Sequence, residues 1–194
     1  MSGLRRWWLV AVVLCLAACG SASRASSGVT EEGARRSSSS SDGMLTVGAP
    51  GDWALTDDAG SGVVLATPDG GALEVEHFAS GDKSGLTQPQ ILEEMLTQAT
   101  AEFAGENQTI EEVGRRVWLG ESYIWHEIQY IGSPTGECDG CRPAYYVDFL
   151  AFPEAGGLLR GRFTGSDAKP LDETAEETLT EVIDSILVRM PGTT

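Results

Sequence analysis

Residues 62–79 read GVVLATPDGGALEVEHFA. Two strand-like runs, 62–67 and 72–79, flank Pro68-Asp69-Gly70-Gly71. Proline presets φ and glycine accepts the positive φ that a tight turn requires, so the stretch predicts a β-hairpin. Upstream, Leu45 and Val47 alternate with polar residues, and Pro50-Gly51-Asp52 makes a turn before Trp53-Ala54-Leu55. Downstream, Thr87 to Ala104 reads as a helix. Thr87 and Gln90 form a capping box, Pro89 fits the first turn and Gly105 stops it. Ile91, Leu92, Met95, Ala99 and Phe103 share one stripe, with Glu93, Glu94 and Glu102 mostly off it.

Four more strand-like runs follow at 108–119, 122–132, 144–152 and 158–164, the first of them readable as two short strands. A last helix is expected from about Glu173 to Val188, with Leu171, Ala175, Leu179, Val182, Ile183 and Ile186 as its apolar face. Long parallel crossovers are missing. The expected fold is therefore α+β: an antiparallel sheet with two main helices packed on it as an α/β/α sandwich.

The order of these elements, the Pro50-Gly51-Asp52-Trp53 turn after a short first strand and the closing Glu181-Val-Ile-Asp-Ser-Ile186 helix together resemble the Mog1/PsbP-like fold across residues 44–190. That resemblance implies a binding or accessory role. It carries over no site residue.

The start of the chain speaks of destination. Arg5 and Arg6 precede the apolar run Trp7–Leu16, then Leu16-Ala17-Ala18-Cys19. Ten apolar residues rise about 15 Å as a helix, half of a bilayer core, which fits a signal peptide over 1–18 and not a span. Paired arginines also occur in signals for folded-protein export. The Leu-Ala-Ala-Cys run resembles the lipobox of bacterial lipoproteins. This resemblance implies a diacylglycerol on the Cys19 thiol, cleavage just before it and anchoring on the extracytoplasmic side of a bacterial cell membrane. Residues 20–43 are rich in serine with Val29 as the only large apolar side chain, so 19–43 is expected to be a lipidated, disordered tether. Residues 44–194 then form a single globular domain.

The 194 residues carry 13 Lys+Arg against 29 Asp+Glu, a net charge of −16. Two arginines lie in the signal and the tether is balanced, so the domain itself is more acidic than the whole. That excludes a nucleic-acid partner, because affinity for phosphate backbones rests on clustered Lys and Arg. It also disfavours a face that binds anionic lipid. The expected partners are the membrane, through Cys19, and a protein of the cell envelope.

Candidate chemistry is sparse. Cys138-Asp139-Gly140-Cys141 holds the only thiols outside the first nineteen residues, and an oxidising compartment favours a local disulfide. A redox pair is the alternative, with Arg142 alone favouring a thiolate and no helix start beside it. A zinc site lacks a second ligand pair. His77 falls in phase with Leu73 and Val75, and His126 with Ile124 and Ile128. Together with Glu74, Glu76 or Glu127 they form a metal site only if their strands are neighbours. The expectation is no catalytic residue, no metal, no cofactor and no enzyme. Trp118, Tyr123, Trp125, Tyr130, Tyr145, Tyr146, Phe149 and Phe152 crowd the central strands, as core if both sheet faces are covered and as a binding surface if one is open.

Overall fold

The computed structural model describes residues 35–58, 60–78, 86–104, 108–134, 142–154 and 156–189. The hairpin at the centre of the sequence is present: β4 (Gly62–Ala66) pairs antiparallel with β5 (Ala72–Phe78). The Thr67 amide donates to Gly71 O at 2.9 Å, and Gly70 takes φ +90° between them. Before it come β1 (Arg35–Ser39), β2 (Leu45–Pro50) and β3 (Ala54–Asp57). After it come α1 (Gln88–Ala104), β6 (Gln108–Leu119), β7 (Ile124–Pro134), β8 (Ala144–Ala151), β9 (Leu158–Thr164), α2 (Glu173–Asp184) and β10 (Leu187–Val188).

Seven strands form one sheet in the order β3-β4-β5-β9-β8-β7-β6, and β1-β2-β10 form a second. Every pairing is antiparallel. Side chains alternate across the large sheet. One face presents Trp125, Val147, Phe149, Leu159, Phe163, Leu73 and Val75 to α2 and β2, whose Leu179, Val182, Ile183, Leu45 and Val47 complete a buried cluster. The other face presents Ile128 and Tyr130 to the expected stripe of α1, Ile91, Leu92, Met95, Ala99 and Phe103. The α+β sandwich with a helix on each face is therefore the observed architecture.

Both helix starts follow local chemistry. The Thr87 amide donates to Gln90 Oε1 at 2.8 Å, half of the expected capping box. Asp172 caps α2 by accepting from the Ala175 amide at 2.9 Å, with Glu173 and Glu176 in the first turn where the helix dipole favours acids.

Two expectations are corrected and one alternative is decided. The expected tether does not run to Gly43, because Arg35–Ser39 is a strand paired with β2 along its length. A polar strand at a sheet edge needs only backbone partners, which composition does not reveal. The last helix stops at Asp184, not Val188. Ser185 Oγ accepts from the Gly48 amide at 2.9 Å and lies 2.8 Å from Gly48 O, and Leu187–Val188 then pair with Thr46 and Leu45. The run 108–119 is one strand, with a bulge between Glu112 and Gly114 that turns Val113 outward.

Candidate functional site

Helix α1 lies over β6 and β7 and reaches β9 through Glu102, whereas on the same face Glu74 and Arg160 are exposed and Glu76 is half-buried. A cleft of about 290 Å³ opens where the first half of the helix meets β8 and β9. Leu86, Ile91, Met95, Leu150, Phe152 and Leu158 give it apolar walls. Glu94, Gln98, Asp148 and Arg160 supply its polar atoms. Its volume stands at the lower edge of the range for small-molecule pockets, which begins near 300 Å³.

The charges next to this cleft are bound to one another. Arg162 forks onto Asp148, Nε to Oδ1 at 2.6 Å and NH2 to Oδ2 at 2.8 Å, and reaches Glu102 Oε1 through NH1 at 2.5 Å. Tyr130 donates its hydroxyl to Asp148 Oδ2 at 3.1 Å. The guanidinium also sits 5.4 Å from the Phe103 ring centroid and 5.8 Å from that of Tyr146. Burial works against the charge of Arg162, but the hydrogen bonds and field of Asp148, then those of Glu102, outweigh it and raise its pKa. Burial, then the charge of Asp148, raises the pKa of Tyr130, so the phenol stays a neutral donor. Arg160 approaches Glu102 at 3.9 Å. Glu76 on β5 has its pKa raised by burial and by the charge of Glu74, against the pull of Arg160.

A second network lies on the α2 face. Glu127 is fully buried, 0% exposed, yet holds Arg116 through Nε at 2.9 Å and NH2 at 3.0 Å. Arg116 continues to Thr180 Oγ1 at 3.0 Å and Glu176 Oε1 at 3.1 Å, tying β6 and β7 to α2. Gln129 donates to Glu127 Oε1 at 2.8 Å. Burial, then the charges of Glu127 and Glu176, raises the pKa of Tyr145 beside it. Both networks fasten helices to the sheet.

Solved structures share the fold. The Saccharomyces cerevisiae Ran-binding protein Mog1p superimposes with a TM-score of 0.56 at 10% identity, covering 81% of this chain and 96% of that one. Cyanobacterial PsbP from Synechocystis superimposes with a TM-score of 0.52 at 12% identity, covering 85% and 98%. The chain has the Mog1/PsbP-like fold. No protein-family model and no curated protein sequence matches the sequence.

On this Mog1/PsbP-like sheet the two histidines are separated. β9 and β8 stand between β5 and β7, about 14 Å across three strand spacings. His77 also shares its face with Leu159 and Val75, whereas His126 points to the α1 face, 6.3 Å from the Phe152 ring. A shared metal site built on His77 and His126 is thereby overturned. No group of three His, Cys, Asp or Glu able to hold a metal occurs among the described residues. Cys19, Cys138 and Cys141 lie outside the described residues.

The central aromatics are mostly core. Trp125 and Phe149 meet edge to face at 5.7 Å beneath α2, and Tyr130 stacks on Tyr146 at 5.2 Å beneath α1. Phe152 is the exception, because it lines the cleft. Reading the sequence alone misses both charge networks. Their signal is an acid inside an apolar strand, Asp148 in AYYVDFLA and Glu127 in IWHEIQYIG.

Proposed function

We propose that this chain is a non-enzymatic binding or accessory protein, held by a lipid on Cys19 to the extracytoplasmic side of a bacterial cell membrane. The observation that carries the binding role is the apolar cleft beside α1, whose neighbouring charges are engaged in ion pairs. A carboxylate or guanidinium locked in this way positions a helix and is not poised for proton transfer. Mog1p, which shares the fold, is a Ran-binding protein. Only that class of role, protein binding, is taken over here.

Anchoring rests on the Leu16-Ala17-Ala18-Cys19 run. Acyl chains contribute about 0.8 kcal/mol per buried CH₂, so two or three chains hold a protein firmly. With β1 beginning at Arg35, the chain from Cys19 to the domain spans at most about 55 Å. The acidic domain is repelled from an anionic leaflet within a Debye length of roughly 8 Å.

Fractionation of cells expressing Cys19→Ala tests the anchor. Loss of acyl labelling and of signal cleavage is expected; unchanged labelling and cleavage would refute it. Chemical cross-linking in the intact envelope tests the binding role. The competing reading is a thiol–disulfide exchanger using Cys138 and Cys141. Rapid exchange with a dithiol, at a potential well above roughly −300 mV, would establish it instead.

A further inference from the structure

An exposed apolar stripe adjoins the cleft. Leu150, in its wall, pairs across β8 and β7 with His126. Two residues back along β7, on the same face and about 7 Å away, is Ile124. Ile124 pairs directly with Leu119 across the β6–β7 hairpin. Leu119 is 81% exposed, Ile124 46%, and Leu86 at the lip of the cleft 42%. The α1 cluster takes in Ile128, Tyr130, Val117, Leu150 and Phe152 but not Ile124 or Leu119. Between these residues and the cleft His126 is 2% exposed, its ring 6.3 Å from that of Phe152, so the hairpin-tip pair meets the cleft at Phe152 across a buried histidine.

Isolated apolar residues on a surface are ordinary, but an apolar stripe that meets a cleft marks an interaction surface. Charge selects its occupant. Glu94 stands in the cleft wall, Glu121 lies in the hairpin between Leu119 and Ile124, and Glu154 follows Phe152 by two residues. Arg160 is the cation of the cleft, and it already approaches Glu102. A second copy of this chain would bring acids against acids, and an anionic bilayer would do the same.

We propose that the stripe and cleft dock a protein segment that is apolar on one side and carries lysine or arginine at its edges. Its apolar side chains cover Leu119, Ile124 and Leu86 and enter the cleft against Phe152, and its cations meet Glu94, Glu121 and Glu154. This rests on the reading of the chain as a protein-binding module and gives that module a face and a partner chemistry.

The test uses residues 20–194, which contain both core clusters whole. The probe is a short fluorescent helix of Lys and Leu, beside its Glu and Leu counterpart. Binding of the Lys/Leu helix is expected, weakening with salt, with amide-exchange protection on 86–98, 119–126 and 150–160. The pair Leu119→Ser with Ile124→Ser should weaken it about tenfold or more. The pair Glu94→Lys with Glu154→Lys should also weaken it while leaving the thermal melt unchanged. Equal binding of the Glu/Leu helix, or no effect of either pair, overturns the proposal. So does a dimer that Leu119→Ser with Ile124→Ser dissolves, or binding to anionic vesicles through this face. Envelope cross-links that map to another face would overturn this assignment and leave the protein-binding reading standing.

Discussion

Replacing Arg162 with leucine removes the centre of the network beneath α1. The side chain is 11% exposed and its partner Asp148 8%. It makes two charge-assisted hydrogen bonds to Asp148 and two to Glu102, the longest 3.3 Å. Leucine fills part of the volume but leaves two carboxylates facing each other with the Tyr130 hydroxyl as the donor that remains to Asp148. Breaking a buried pair from one side costs about 3–5 kcal/mol. In a domain of this size each kcal/mol shifts the melting temperature by about 2–4 °C, so a fall of about 10 °C is expected. Arg160, 3.9 Å from Glu102, remains as a partial counter-charge, so the larger share of the penalty falls on Asp148. Calorimetric melts of the wild type and Arg162→Leu at about pH 7 check the size of the loss. A loss below about 1 kcal/mol would refute the reasoning. Adding Asp148→Leu and Glu102→Gln to the same chain should recover most of the loss, because an apolar replacement of a whole buried network is close to neutral.

Gly161→Ala should destabilise by about 1–3 kcal/mol or more, because its Cβ would lie 2.2 Å from Phe149 Cζ and 2.8 Å from Glu74 O; denaturant titration checks it. Asp172→Ala should cost about 1 kcal/mol by removing the cap on the Ala175 amide, read the same way. Glu76→Gln should raise the melting temperature at neutral pH and make no difference below the ordinary carboxylate range. Burial and Glu74 raise the folded pKa of Glu76, so its penalty is present above that pKa and absent below the unfolded value. The opposite sign holds for Asp42, whose pKa is lowered by hydrogen bonds from Ser40 and from the Met44 amide. Its contribution is present above the unfolded pKa and lost as pH falls through the folded one, so Asp42→Asn should flatten the acid limb of the stability curve.

Most of the fold was legible because periodicity and punctuation agree with the tertiary structure. The 62–79 hairpin, the stripe of α1 and the apolar face of α2 all point to one packing. What stayed hidden depends on long-range partners. Arg35–Ser39 becomes a strand only because β2 offers it an edge, and Ser185 ends α2 only because Gly48 lies beside it. Arg162 meets Glu102 across 60 residues of sequence. The helix pattern placed that acid off the apolar stripe, and a basic residue on β9 makes its position a half-buried one. The cleft is likewise a product of how far α1 extends over the sheet, a quantity no local pattern encodes.

A photo-crosslinking side chain placed by turns at Leu119, Ile124 and the outward-facing Glu177 of α2, in cells that make the protein, tests the central claim most directly. A discrete protein adduct in the membrane fraction from Leu119 and Ile124, absent from Glu177 and lost with Glu94→Lys and Glu154→Lys, is the predicted result. Adducts in equal measure from all three positions, or none from any while the chain remains folded, would contradict a binding protein that presents this face.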